Sequence, residues 1–185
     1  MKLVGSSIVV SFAFVMSILC GGAWAATQSL TINSLSFTDT LATPFSLGDT
    51  LLLDTLITDG STGPLSQSVT FTVGPGVGGA IGEAAWLVST PSLGPRLVGV
   101  NIDILNSSNV PVFTDTNTTV TNRVATSALS GVLTPGTYKL VATGNAIRDV
   151  SFDVSVSFVP EPENVVLLIA GLVLVAFAWS RRSAS

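Results

Sequence analysis

Val150-Ser151-Phe152-Asp153-Val154-Ser155-Val156-Ser157-Phe158 alternates without a break. Every even-numbered position is apolar and every odd one is serine or aspartate. A strand sends successive side chains to opposite faces, so this period of two predicts a strand with one buried face and one wet face. A helix would need apolar residues three or four apart. Working outward, Tyr138, Leu140 and Ala142 repeat the pattern around Lys139, and Val98, Val100, Ile102 and Ile104 alternate with Gly99, Asn101 and Asp103. Further strands are expected near 28–37, 51–57, 68–73, 84–89 and 118–126. Turn residues separate them at Asp59-Gly60, Gly74-Pro75-Gly76, Gly94-Pro95, Asn106 to Asn109 and Pro135-Gly136. Several short strands between such turns predict an all-β fold, an antiparallel β-sandwich or jelly roll over residues 26–158. The glycine-rich run from Gly74 to Gly82 reads as a flexible loop. It lacks the lysine and the following helix of a phosphate loop. Tyr138, just after the Pro135-Gly136 turn, is expected in the core with its hydroxyl tied to backbone.

The whole-chain figures look unlike such a domain. In 185 residues, 47% are hydrophobic and only 10% charged, with a mean hydropathy of +0.67. The two ends supply much of this. Met1-Lys2 precedes an apolar run from Leu3 to Leu19 and the small-residue site Ala23-Trp24-Ala25. That order describes a secretory signal peptide over residues 1–25, cleaved after Ala25. At the other end, Val165 to Ser180 carries no charge and is apolar all round. Sixteen helical residues span roughly 24 Å, slightly short of a hydrocarbon core of about 30 Å. Trp179 suits the interface, and Arg181-Arg182 predict a cytoplasmic terminus for this transmembrane helix.

Between the ends, residues 26–159 carry Arg96, Arg123, Lys139 and Arg148 against nine acids, a balance of −5. An acidic domain disfavours nucleic acid, which needs a basic patch. The chain has no histidine, so imidazole catalysis and histidine metal sites are excluded. Its one cysteine, Cys20, leaves with the signal, so neither a thiol nor a disulfide remains.

Pro160-Glu161-Pro162, the apolar helix containing Gly171, and the Arg181-Arg182 tail together resemble the PEP-CTERM sorting signal of Gram-negative bacteria. The resemblance covers residues 159–185 and the signal peptide that such proteins carry. It implies recognition of Pro160, Glu161, Pro162, Arg181 and Arg182 by exosortase, a membrane transpeptidase, with cutting near the tripeptide. Phe37-Thr-Asp-Thr-Leu41 is similar to the F-x-D-x-F or F-x-D-x-A motif of one PEP-CTERM subfamily, although Leu41 departs from both versions. Leu133 to Gly144 resembles a turn-and-strand segment of those domains and of pre-peptidase C-terminal β-sandwiches. Phe113-Thr-Asp-Thr116 repeats the tetrapeptide at Phe37.

Catalytic chemistry is scarce. Lys139, the only lysine of the domain, belongs to a wet strand face, and Asp49, Asp54 and Asp59 are five apart, which alternates faces. No enzyme activity, cofactor or metal site is therefore expected. Asp59-Gly60-Ser61 and Asp103 to Asn109 offer oxygens without a calcium-loop spacing. Trp86 is the one domain tryptophan that a sugar platform could use, though its setting suits the core. The 21 threonines and 16 serines from Ala26 to Asn164 suit wet strand faces, and also O-linked glycan. With no catalytic group in view, the PEP-CTERM resemblance implies a non-enzymatic protein of the cell surface or extracellular polysaccharide matrix. It is expected to be exported, held transiently in the inner membrane and released by exosortase in a biofilm setting. The alternative is a carbohydrate- or calcium-binding surface module.

Overall fold

The computed structural model describes residues 25–92, 94–160 and 169–173. Along the chain these form β1 (Thr27–Ile32), β2 (Ser36–Thr40), β3 (Thr50–Ile57), β4 (Gly63–Val73), β5 (Val77–Leu87), β6 (Ser89–Thr90), β7 (Gly94–Pro95), β8 (Leu97–Asn106), β9 (Pro111–Thr114), β10 (Thr116–Thr121), β11 (Val124–Val132), β12 (Gly136–Ala146) and β13 (Val150–Pro160). Six strands make one sheet in the order β1-β3-β13-β5-β11-β10, and five make the other in the order β2-β4-β12-β8-β9. The small β6–β7 pair stands apart.

The all-β sandwich expectation holds, with one correction. The sheets are mixed, because β1 pairs with β3 and β2 with β4 in parallel. The cause is that the chain changes sheet at each of its first connections. Successive strands reverse direction while alternating between layers, so each returns to its own sheet pointing the same way. A parallel neighbour requires such a crossover, whereas a hairpin gives an antiparallel one.

Three local expectations change with it. The single strand near 28–37 is two strands in different sheets, broken at Asn33–Leu35. The strand near 118–126 is the β10–β11 hairpin, turning at Asn122 and Arg123 with φ of 52° and 70°. Two successive left-handed residues make the turn that matches strand twist, and Arg123 is an unusual residue to carry one. The glycine-rich run is not a loop along its length, because Val77 to Gly82 belong to β5 in the middle of the larger sheet.

The core lies between the sheets. Phe152, Val154, Val156 and Phe158 of β13 are buried, opposite Leu65, Val69, Phe71 and Val73 of β4. Phe45 stacks on Phe158 at 4.6 Å, and Phe71 meets both rings. Burial of such rings stabilises by roughly 1.5–3 kcal/mol each. A polar link crosses this core where the Thr55 hydroxyl donates to Gln67 Oε1 at 3.0 Å, and Gln67 Nε2 donates to the Ser34 carbonyl. Tyr138 is buried as expected, its hydroxyl donating to the Thr134 carbonyl at 2.8 Å.

Of the expected helix over 165–180, residues 169–173 are described, and they are helical and exposed. Among the described residues no helix is long and apolar enough to cross a membrane.

Candidate functional site: the pole where the chain enters and leaves

Ala26 opens the domain and Pro160 closes it, and the register places them at one end of the larger sheet. Thr27 of β1 lies beside Thr50 of β3, and Thr50 lies beside Ser157 of β13. Two strand spacings, about 10 Å, therefore separate the incoming chain from the outgoing one. Pro160 is the last ladder residue of β13, set against Val77 of β5. As a proline it contributes no N–H to the ladder there. Ala25 and Ala26 are exposed and Pro160 is half-buried. Ala23, Glu161, Pro162, Arg181 and Arg182 lie outside the described residues.

Asp49 joins the two chain ends, and sequence reasoning passed over it. Its side chain is 7% exposed. Oδ1 accepts from the Ala26 N–H at 2.7 Å and Oδ2 from the Ser46 N–H at 2.6 Å. Its backbone carbonyl accepts from Phe158 N–H at 3.0 Å, and the Gly48 N–H donates to the Phe158 carbonyl at 2.9 Å. Gly48 has φ of +86°, a left-handed turn conformation that glycine adopts without a Cβ clash. The Ser46-Leu-Gly-Asp49 turn was the available signal, since serine, glycine and aspartate are turn formers.

A second feature lies on the outer face of the same sheet. Asp54 of β3 stands directly opposite Asp153 of β13. Together with Glu83 they line an open trough of about 470 Å³, with Ser29, Leu52 and Ser155. The Asp153 carboxyl is pushed above the usual carboxylate range, first by loss of water at the trough wall, then by the Asp54 charge and its hydrogen bond. The three sequence aspartates spaced by five do lie apart, but the close carboxylate pair comes from a neighbouring strand. Such pairing depends on register, which spacing along one segment does not reveal.

The remaining candidates are engaged elsewhere. Trp86 is 4% exposed on the core face of β5, so its ring offers no open platform for a sugar. Asp59 accepts from the hydroxyl and N–H of Ser61, and these bonds, the hydroxyl first, hold its carboxyl below the usual range. Asp103 accepts from Asn101 Nδ2 and Thr114 Oγ1, and Asn106 accepts from the Ser108 and Val110 N–H groups. Lys139 reaches Asn109 Oδ1 at 3.0 Å on the wet face. The two Phe-Thr-Asp-Thr segments behave differently. Asp39 accepts from its own neighbour, the Thr40 N–H, whereas Asp115 accepts from Ile102 N–H in one sheet and Ser127 Oγ in the other. Several serines and threonines meet across strands, as in Thr50–Ser157 and Thr119–Thr126.

The sequence matches no family model and no curated protein. Among solved structures it is similar to the pre-peptidase C-terminal domain of a collagenase from Bacillus anthracis, at 12% identity. That match covers 74% of this chain and 99% of that one, with a TM-score of 0.33. It is also similar to PliG of Aeromonas hydrophila, a periplasmic lysozyme inhibitor of g-type lysozyme, at 10% identity. Coverage is 72% and 99%, with a TM-score of 0.36. At these TM-scores neither likeness carries an argument.

Proposed function

We propose that this is an exported, non-enzymatic surface or matrix protein of the PEP-CTERM kind. Signal cleavage after Ala25 frees one end, and exosortase acts at Pro160-Glu161-Pro162 at the other. The membrane-spanning helix is Val165 to Ser180, and Arg181-Arg182 hold its cytoplasmic end. The β-sandwich is the cargo, delivered to a polysaccharide matrix. The observation that supports this reading is the shared pole. Both expected processing points join the domain within about two strand spacings, with Pro160 as the last paired residue among those described. A domain attached through one pole can fold outside a membrane while both leaders still lie in it.

The test is maturation in an exosortase-bearing host. E161A, or R181A with R182A, leaves the domain folded and abolishes the processed fragment in the matrix. An unchanged fragment in these variants refutes the sorting reading. The competing reading, a surface module for calcium or sugar, would use the open trough of Asp54, Glu83 and Asp153, although no acidic cluster able to hold a metal ion is found among the described residues. Calorimetric titration with calcium and with matrix polysaccharide, repeated on D153N, separates the two.

A further inference from the structure

The geometry points to Asp49 as the built-in receptor for the amino group released at Ala26, so that leader removal tightens the fold. This rests on the reading that cleavage falls after Ala25. Hydrolysis of the Ala25–Ala26 bond consumes one water. The C–N bond breaks, Ala25 departs with a carboxylate, and Ala26 retains the nitrogen as an amine. A free α-amine titrates near 7.7–8.0, so at neutral pH it takes up a proton and becomes an ammonium. That nitrogen already lies 2.7 Å from Asp49 Oδ1, the length of a charge-assisted bond. Cleavage thus converts an amide–carboxylate hydrogen bond into an ion pair without moving either atom.

Two observations make Asp49 more than a turn residue. It is a carboxylate that is 7% exposed, and a buried charge is costly unless a counter-charge meets it. Yet the one ion pair among the described residues is Arg96–Asp149, at 3.3 Å. The orientation of Asp49 is also fixed beforehand. Ser46 N–H holds Oδ2, and the Ala26 carbonyl accepts from Thr50 N–H at 2.9 Å, so terminus and carboxylate are both positioned by backbone. Neighbouring charge is sparse among the described residues. β1 has no titratable side chain, Asp54 of β3 lies opposite Thr31 at the far end of β1, and Asp153 of β13 lies opposite Asp54. Among the described residues Asp49 is therefore the carboxylate that meets the new terminus directly. Its carbonyl also holds Phe158, two residues before Pro160, so the pair braces the strand that leads into the second processing point.

The sign follows from linkage. An ammonium facing a carboxylate holds its proton to higher pH in the folded state than in the unfolded chain. The stability it contributes is present below the ordinary amine range and is lost as pH rises through the raised folded value.

The test uses the full chain, expressed in an exporting host and purified in mild detergent. N-terminal sequencing comes first. A terminus other than Ala26 overturns the cleavage reading and this proposal with it. With Ala26 confirmed, cyanate labelling of the α-amine is followed by mass spectrometry from pH 6 to 10. The Ala26 amine of the folded protein is expected to titrate about one unit above its value in urea, so that it labels about tenfold more slowly at pH 7. An amine titrating in the ordinary range, or labelling equally fast folded and unfolded, overturns the Asp49 proposal while leaving the cleavage reading intact. D49N is expected to lose the protection. Should it not fold, the wild-type titration decides alone. R181A with R182A, placed by the sorting reading across the membrane from this pole, is expected to leave the titration unchanged, which separates this proposal from exosortase sorting.

Discussion

Strands β13 and β5 lie side by side in the same sheet, paired from Phe152–Trp86 to Pro160–Val77. One is plain in the sequence and the other is half hidden. β13 buries four large apolar residues on one face and turns serine and aspartate to water. β5 begins Val-Gly-Gly-Ala-Ile-Gly, and its first four residues are all buried. Its glycines leave space that neighbouring backbone occupies. A Cβ on Gly82 would stand 2.5 Å from the Ser155 carbonyl oxygen of β13, and one on Gly79 would stand 2.8 Å from the Gly131 carbonyl oxygen of β11. Alternation reveals a strand whose contacts are made by side chains. It is silent where contacts are made by their absence, because glycine marks close backbone approach as readily as it marks a turn.

The largest expected effect comes from breaking the legible strand. Phe158→Ala removes a fully buried ring that stacks on Phe45, at a cost of about 4 kcal/mol. Urea unfolding followed by circular dichroism measures it. A loss below about 1 kcal/mol would mean that the aromatic cluster does not hold the pole. Gly82→Ala breaks the other strand by adding one methyl. The obstructing atoms are backbone, so β5 and β13 must separate locally, and overpacking of this kind costs about 2 kcal/mol. A flexible loop would instead gain slightly from the same change through reduced unfolded-state freedom. The sign of this one substitution therefore decides between the loop reading and the buried strand.

The same contrast governs what could be read in advance. The sandwich, the Pro135-Gly136 turn and the buried, backbone-tied Tyr138 were legible, since each rests on residues adjacent in sequence. The parallel pairs were not, because they depend on when the chain changes layers. Asn33 to Leu35 gives little signal of such a crossing, and Arg123 gives little signal of a left-handed turn. At the pole, the two chain ends could be picked out from their patterns, but their joint was invisible. Asp49 touches Ala26 from 23 residues away, and Asp54 meets Asp153 across a register that only the folded sheet defines.

The smallest effect sharpens the comparison on the wet face, where β13 is less neutral than its alternation suggests. Asp153 faces Asp54 on one side and Ala85 of β5 on the other. Like charges directly opposite destabilise a sheet by a few tenths of a kcal/mol up to about 1, and water screens this open pair further. The folded Asp153 carboxyl is raised, chiefly by lost hydration and then by Asp54, so the folded state keeps its proton to higher pH than the unfolded chain does. Stability from this group is therefore full below the unfolded carboxylate value of about 3.9 and falls as pH rises through the folded value. Asp153→Asn removes the charge, and at pH 7 it is expected to stabilise the protein by about 0.5 kcal/mol. Below pH 3, where the raised Asp153 carboxyl is protonated, the gain should vanish. Asp54→Asn should give a smaller gain, because it removes the repulsion but not the lost hydration of Asp153, and the double variant little more than Asp153→Asn alone. Urea midpoints at pH 3, 5 and 7 measure all three. A gain that is equal at every pH, or additive in the double variant, would show that the two carboxylates do not sense each other and that the wet face of β13 is as neutral as its serines.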